Sequence, residues 1–313
     1  TVSSFASQID RFNATLEELT GDAAGALSAA ETTFESVDQL VAENDPNGRR
    51  TDFMGAQFDL GLAWVHFPVG LGGLGLPPRY QQLIDERLDA VTGHRPRSFD
   101  VLGHGMGAPM LVAHGNEAQQ ARYLRPMFTG DEVWCQLFSE PDSGSDLASL
   151  RTTAVRDGDH YVVNGSKTFI TNGPYADTTV FICKLDDGET PAEQRKVLSF
   201  VLDRGMPGFE QSKPLRKMGM HSSPTGELFL DDVRVGRDRL IGETEDLPAG
   251  GRDGAKATFQ QERSGVAAMA LGIIEECLQL SVQYAKDRVV FGRPIGQNQS
   301  IQHPLAQSWM ELE

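Results

Sequence analysis

Apolar and polar residues alternate from Thr152 to Arg156 and again from His160 to Asn164, on either side of Asp157-Gly158. A period of two flanking such a dipeptide predicts a β-hairpin. Apolar segments at Thr179–Lys184, Val197–Leu202, Glu227–Leu230 and Val233–Val235 extend the strand region from Trp134 to Ile241. Its turns are Asp186–Lys196, Arg204–Gly208 and Ser222–Gly226. Strands this closely spaced predict a barrel or sandwich rather than a parallel sheet.

On both sides the period changes to that of a helix. Leu16, Leu19, Leu27, Phe34, Val37, Leu40 and Val41 keep helical spacing up to the polar break Asn44–Gly48. Met54–Val65 predicts a short helix running into a loop, and Tyr80–Val91 another. Gly107–Met127 predicts a further helix, crossed by His114-Gly115-Asn116 and ended by Phe128-Thr129-Gly130. Glu243–Gly254, rich in Gly and acids, is the natural linker to the last region. That region opens with a long helix from Asp253 to Arg288. At about 100° per residue, Val266, Met269, Ile273, Cys277, Leu280 and Tyr284 fall within about 60° of one line, an expected buried stripe. Glu262 lies on the same line, whereas Arg263 points about 100° away and Arg288 about 80°. A carboxylate in an apolar stripe is costly to desolvate without a partner or a task. The competing reading is an ordinary solvated Glu beside its Arg. Three segments follow: helical 1–130, β 131–245 and helical 246–313.

At 313 residues and 39% hydrophobic content, the chain can hold two or three core-forming units. No apolar run approaches the length of a membrane span, and the N-terminal TVSSFASQID lacks the basic start and apolar core of a signal peptide. Cys135, Cys183 and Cys277 are odd in number and widely spaced, which fits a reduced, cytosolic protein rather than a disulfide framework. A net charge of −16 argues against nucleic acid and anionic membranes as partners. The seven histidines show no metal-ligand spacing, and no nucleophile–His–Asp arrangement is legible. Gly70-Leu71-Gly72-Gly73-Leu74-Gly75 formally matches a dinucleotide fingerprint. Pro68 before it and Pro77-Pro78 after it deny that motif the strand and helix it needs, so it is a decoy.

The candidate chemistry gathers between Trp134 and Gly173. The apolar run from Trp134 breaks into Ser139-Glu140-Pro141-Asp142-Ser143-Gly144-Ser145-Asp146, a loop of hydroxyls and backbone N–H groups. Such loops cradle phosphate or a polar heteroaromatic ring. Downstream, Phe169-Ile170-Thr171 interleaves aromatic and hydroxyl before the Asn172-Gly173 turn.

These residues carry a resemblance. Ser139-Glu140-Pro141 with Gly144-Ser145-Asp146, then Asn164-Gly165-x-Lys167 with Phe169 to Gly173, resembles the acyl-CoA dehydrogenase superfamily. So do Met218 to Thr225 with Glu227-Leu228, and Asp287-Arg288 with Phe291-Gly292-Arg293-Pro294. Order and spacing agree over nearly the whole chain. The resemblance implies a mainly α fold with a central β domain: an N-terminal helical domain, a middle β-barrel and a C-terminal helical bundle, incomplete here. It implies FAD as cofactor and α,β-dehydrogenation of an acyl-CoA thioester, a carboxylate taking the α proton while a hydride leaves the β carbon.

By the same resemblance Glu262 is the base, as in the subset similar to isovaleryl- and long-chain-acyl-CoA dehydrogenases that carries it before an Arg on the long helix. An apolar, closed site raises a carboxylate's pKa and strengthens it as a base. Arg263 and Ser145 are implied at the substrate. Phe138, Ser139, Gly144, Ser145, Phe169, Ile170 and Thr171 are implied at the flavin, and Arg288, Phe291 and Gln299 at FAD, Arg288 reaching its pyrophosphate from a neighbouring subunit. Ser139 stands where Thr is common and Phe169 where Trp is common; both keep the chemical type. Val289-Val290 replaces a polar pair.

Implied partners are an electron-transferring flavoprotein and further copies of the chain, as a homotetramer or dimer. The implied setting is fatty acid β-oxidation in the cytoplasm, or in the mitochondrial matrix of a eukaryote. An acyl-CoA oxidase, a flavin monooxygenase of the same fold and a non-catalytic FAD- or CoA-binding subunit stay open as alternatives. The pattern stops inside a helical stretch at Met310–Glu313, as expected of a C-terminally truncated chain, and a second Glu beyond that point would compete with Glu262 for the role of base.

Overall fold

The computed structural model describes residues 23–46, 48–92, 102–246 and 251–313, and their side chains except 23–32, 91–92 and 251–263. Leu16 and Leu19 of the expected first helix lie outside the described residues. The chain forms two compact units, residues 1–247 and 248–313.

The first unit begins with helices α1 (Ala23–Glu43), α2 (Arg50–Asp59) and α3 (Tyr80–Thr92). Val37, Leu40, Leu62, Val65, Tyr80, Ile84 and Leu88 close one core between them. The fingerprint-like glycines lie in the loop between α2 and α3, where a bridge pairs Val69 with Gly73 and Gly70, Gly72 and Gly75 take positive φ. No strand leads into them, so the loop is a fold device. The expected helix over 107–127 is a π-helical turn (Gly103–Gly107) with α4 (Ala108–His114) and α5 (Glu117–Thr129). The break has a local cause: Asn116 and Gln119 form a reciprocal capping box that starts α5, and Gly130 in the left-handed region ends it.

Seven strands follow: β1 (Trp134–Leu137), β2 (Thr153–Asp157), β3 (His160–Thr171), β4 (Thr178–Asp186), β5 (Val197–Asp203), β6 (Phe209–Gln211) and β7 (Thr225–Gly236). The sheet runs β1-β4-β2-β3-β7-β6, with β5 on the other edge of β4. It curls on itself, because all seven strands contribute to a single core that includes Leu137, Val163, Phe181, Phe200, Leu228 and Leu230. The expected alternation holds on β2 and β3, joined at Asp157–His160 with Gly158 at positive φ. Three details differ from expectation. The pairings of β4 with β1 and with β2 are parallel, so the sheet is mixed. The segments at Glu227–Leu230 and Val233–Val235 are one strand, kinked at Asp232 with φ 50°. The short β6 lacks any alternation long enough to detect.

A second core, built on Trp64, Leu111, Leu124, Met127 and Phe128, meets Trp134, Val180 and Val201 and joins the helices to the sheet. Gln119 adds a polar tie: its amide donates to the carbonyls of Asp238 and Leu240, and its oxygen accepts from the Gly242 N–H.

The second unit is α6 (Gly251–Asp287), a two-stranded hairpin of β8 (Val289–Val290) and β9 (Arg293–Pro294), and α7 (Gln299–Leu312). Phe291 and Gly292 both take positive φ, the geometry of a type I′ turn. The expected stripe on α6 is not buried in this chain: Val266, Met269, Ile273, Leu280 and Tyr284 are exposed, and so is Cys277. Within the unit the long helix packs on α7 and on the 3-10 turn Ile295–Gln297, which lies against Ala285, and its buried side chains among the described residues are Leu278 and Ala285. One short helix cannot cover a helix of 37 residues on every side.

Candidate functional site

The loop after β1 is held from beneath by a buried ion pair. Lys167 Nζ lies 2.8 Å from Glu140 Oε1 and donates to the Phe138 carbonyl at 3.1 Å. Glu140 in turn accepts from the Arg151 N–H at 2.6 Å, the Thr152 N–H at 3.1 Å and the Thr152 hydroxyl at 2.6 Å. Burial pushes the Glu140 carboxyl up, but the hydrogen bonds from Lys167, Thr152 and the Arg151 amide outweigh it, leaving its pKa below the ordinary value. Burial draws the Lys167 ammonium down against the pull of Glu140. The neighbouring Cys183 thiol is raised by burial and is inert as a nucleophile.

The next few residues of β3 present the aromatic. Between Lys167 and Ile170 two residues of β3, Thr168 and Phe169, oppose the single Glu227 of β7, a β-bulge. The extra residue resets the alternation, so Lys167 and Ile170 face the core and Phe169 points out, 72% exposed. Phe169 holds φ 57°, a sparsely populated conformation for an aromatic residue and one that collects at functional sites. The Thr168 N–H donates to the Ser139 carbonyl at 2.9 Å, placing Ser139 beside this bulge. The half-buried hydroxyls of Ser139 and Thr171 have no partner among the described residues. An outward aromatic face beside two open hydroxyls suits a flat ring rimmed with heteroatoms.

Residues 26–131, 135–233 and 249–313 match, in that order, "Acyl-CoA dehydrogenase, N-terminal domain", "middle domain" and "C-terminal domain". The chain belongs to the acyl-CoA dehydrogenase family. It is 33% identical over 255 residues to an isovaleryl-CoA dehydrogenase, mitochondrial, of Oryza sativa subsp. japonica, spanning 82% of this chain and 60% of the rice protein. It is 34% identical over 246 residues to a 3-(aryl)acrylate reductase of Clostridium sporogenes, spanning 79% of this chain and 63% of that one. A glutaryl-CoA dehydrogenase from Mycobacterium smegmatis, solved in complex with FADH2, superposes with a TM-score of 0.64 at 26% identity. That match covers 91% of this chain and 72% of that one. The chain thus spans about 60% of the length of the curated relatives it matches.

Acyl-CoA dehydrogenases are FAD-dependent oxidoreductases acting on CH–CH groups. The residues present fit that cofactor: Ser139 and Thr171 offer hydroxyls to ring heteroatoms, and Phe169 offers a ring face. The structure brings Phe138, Ser139, Phe169 and Thr171 to one end of the sheet, with Gly144 and Ser145 exposed on the loop between. Ile170 departs from expectation, since its side chain packs in the sheet core and leaves only backbone to offer. Arg288, Phe291 and Gln299 lie in the second unit, at the end of α6, the tip of the β8–β9 hairpin and the start of α7. Arg288 is exposed with no side-chain partner among the described residues, and Phe291 is fully exposed. Glu262 and Arg263 lie in α6, and their side chains fall outside the described residues.

Sequence reasoning missed the buried Glu140–Lys167 pair beneath the loop. The available signal was parity, because Lys167 shares the inward phase of Tyr161 and Val163 on β3. It also passed over Ser264–Asp287, a 24-residue segment long and apolar enough by composition to cross a membrane, with a mean hydropathy of 1.5. Glu275 and Glu276 at its middle are costly in hydrocarbon. Its match to the C-terminal domain of the family assigns it to a helical bundle instead.

Proposed function

We propose that this chain is the FAD- and substrate-binding part of an acyl-CoA dehydrogenase that converts an acyl-CoA thioester to the 2-enoyl-CoA. The observation that carries this reading is Phe169, turned out of the sheet on a left-handed backbone beside the open hydroxyls of Ser139 and Thr171. FAD, when bound, supplies the hydride acceptor. Ser139 and Thr171 orient the ring, Phe169 covers a face of it, and the loop carrying Gly144 and Ser145 borders the substrate. Glu262 takes the α proton, and Arg263 engages the CoA moiety. The likeness to isovaleryl-CoA dehydrogenase supports the base on α6, since that resemblance pairs it with a following Arg. Arg288, exposed at the end of α6 and with no side-chain partner among the described residues, serves the FAD pyrophosphate across a subunit boundary in a homotetramer or dimer. Electrons pass to an electron-transferring flavoprotein, and the setting is acyl-chain β-oxidation in the cytoplasm.

The test uses the full-length protein, titrated anaerobically with a panel of acyl-CoAs beside Glu262→Gln. The parent flavin bleaches, fastest with the preferred acyl chain, and the variant bleaches about 10²–10⁴-fold more slowly while still binding acyl-CoA. Undiminished bleaching by the variant removes Glu262 from the role of base. A parent that cannot be loaded with FAD removes the dehydrogenase reading itself.

A further inference from the structure

We propose that Lys167, acting through Glu140 and the Phe138 carbonyl, is a positioning residue for the isoalloxazine ring of FAD. The inference rests on the functional reading above and goes beyond it, because neither residue is placed at the cofactor itself.

Lys167 has no exposed surface and Glu140 is 6% exposed. An ion pair taken this far out of water is on average no more stabilising than apolar residues of the same volume. Stability is therefore a poor reason for its presence, and its bonds point to another. Among the described residues, each side-chain hydrogen bond of the pair outside itself ends on the segment from Phe138 to Thr152. Lys167 grips the start of the loop at the Phe138 carbonyl, and Glu140 grips its end at the Arg151 and Thr152 amides. The stretch from Pro141 to Leu150 is thereby suspended from two fixed points.

Lys167 also stands directly before the bulge that turns Phe169 outward. One side chain thus ties the loop carrying Ser139 to the strand carrying Phe169 and Thr171. The Thr168 N–H bond to the Ser139 carbonyl closes the same junction from the backbone. With the pair in place, hydroxyls and aromatic cannot shift independently. Binding geometries of this kind tolerate only about half an ångström of drift.

The experiment compares the full-length protein with Glu140→Gln/Lys167→Met, which removes both charges together and leaves no buried ion unpaired. Thermal midpoint, FAD dissociation constant by flavin fluorescence, and kcat against KM are read for each. We expect a midpoint within about 5 °C of the parent, FAD bound about tenfold more weakly, and a lowered kcat at an unchanged acyl-CoA KM. A folded double variant with the parental FAD affinity and kcat overturns the inference. Should the double variant fail to fold, Thr152→Val removes one hydrogen bond to Glu140 while keeping shape. Its expected result is FAD held about threefold more weakly at the parental midpoint, and an unchanged affinity overturns the inference equally. A parent that binds no FAD sinks the functional reading and this inference together, whereas a loaded parent with an indifferent variant sinks this inference alone.

Discussion

The loop after β1 and the long helix α6 invert each other's chemistry. Beneath the loop, a lysine and a glutamate lie out of water, every charge matched by a partner. On α6, Val266, Met269, Ile273, Leu280 and Tyr284 expose 55–62% of their surface on a face whose sequence spacing is that of a core. The difference comes from curvature. A curled sheet supplies its own inside, so even polar residues at inward positions are enclosed and must be satisfied. A pair of helices has an inside only along one seam, and on α6 only Leu278 and Ala285 are buried among the described side chains. Amphipathic spacing on a helix therefore states which face requires covering without stating what covers it, whereas alternation on a curled sheet fixes both.

Breaking the pair from one side tests the first half of that contrast and gives the largest effect. Lys167→Met alone strands the Glu140 carboxylate in the core, an expected loss of about 3–5 kcal/mol in urea unfolding. Because Glu140 is held below its ordinary pKa, its share of parental stability is present above that value and disappears as the pH falls through the folded one. In the variant the buried carboxylate has lost its cation, so acidification relieves it and the gap to the parent narrows. A uniform gap at every pH would show that Glu140 escapes to water when its partner is gone.

How far sequence reached follows the same line. The β2–β3 hairpin was legible because a strict period of two meets a Gly that takes positive φ. The grouping of Ser139 with Phe169 and Thr171 came through motif order and resemblance, and the structure supplies the junction that joins them. What stayed hidden depends on shifts of register. The bulge between Lys167 and Ile170 decides that Ile170 enters the core while Phe169 leaves it, and nothing in Phe-Ile-Thr by itself says so. Likewise a lone Lys reads as surface until the parity of β3 is followed inward to position 167. The stripe on α6 is legible as a face, but its exposure is not, because helical period fixes a face and not the burial of it.

A middle-sized effect comes from the end of the first unit. Glu245 accepts from the Arg156 guanidinium and from the Tyr161 hydroxyl, the latter at 2.7 Å, and its pKa is lowered to about 2, chiefly by the Arg156 bond. Arg156 is half-exposed, so screening trims the pair and Glu245→Gln is expected to cost about 1 kcal/mol at neutral pH. Since the folded pKa lies below the ordinary 4.5, the stabilisation is complete above pH 4.5 and fades towards pH 2. Parent and variant should therefore converge in acid. Curves that stay parallel would mean that the carboxylate's charge contributes nothing.

The smallest effect sharpens the comparison most. Ile273 lies on the α6 stripe with 62% of its surface exposed. Truncating an isoleucine costs about 2–5 kcal/mol where neighbours enclose it, and leaves stability within about 0.5 kcal/mol where water already surrounds it. In this 313-residue chain Ile273→Ala is therefore expected to leave the urea midpoint nearly unmoved, and to do so at every protein concentration. The same substitution at Phe200, inside the sheet, would cost several times as much. A large loss at Ile273 that grows with protein concentration would mean that another copy covers the stripe in solution. The contrast between the two regions would then be one of assembly, because α6 would find between molecules the inside that the sheet makes for itself.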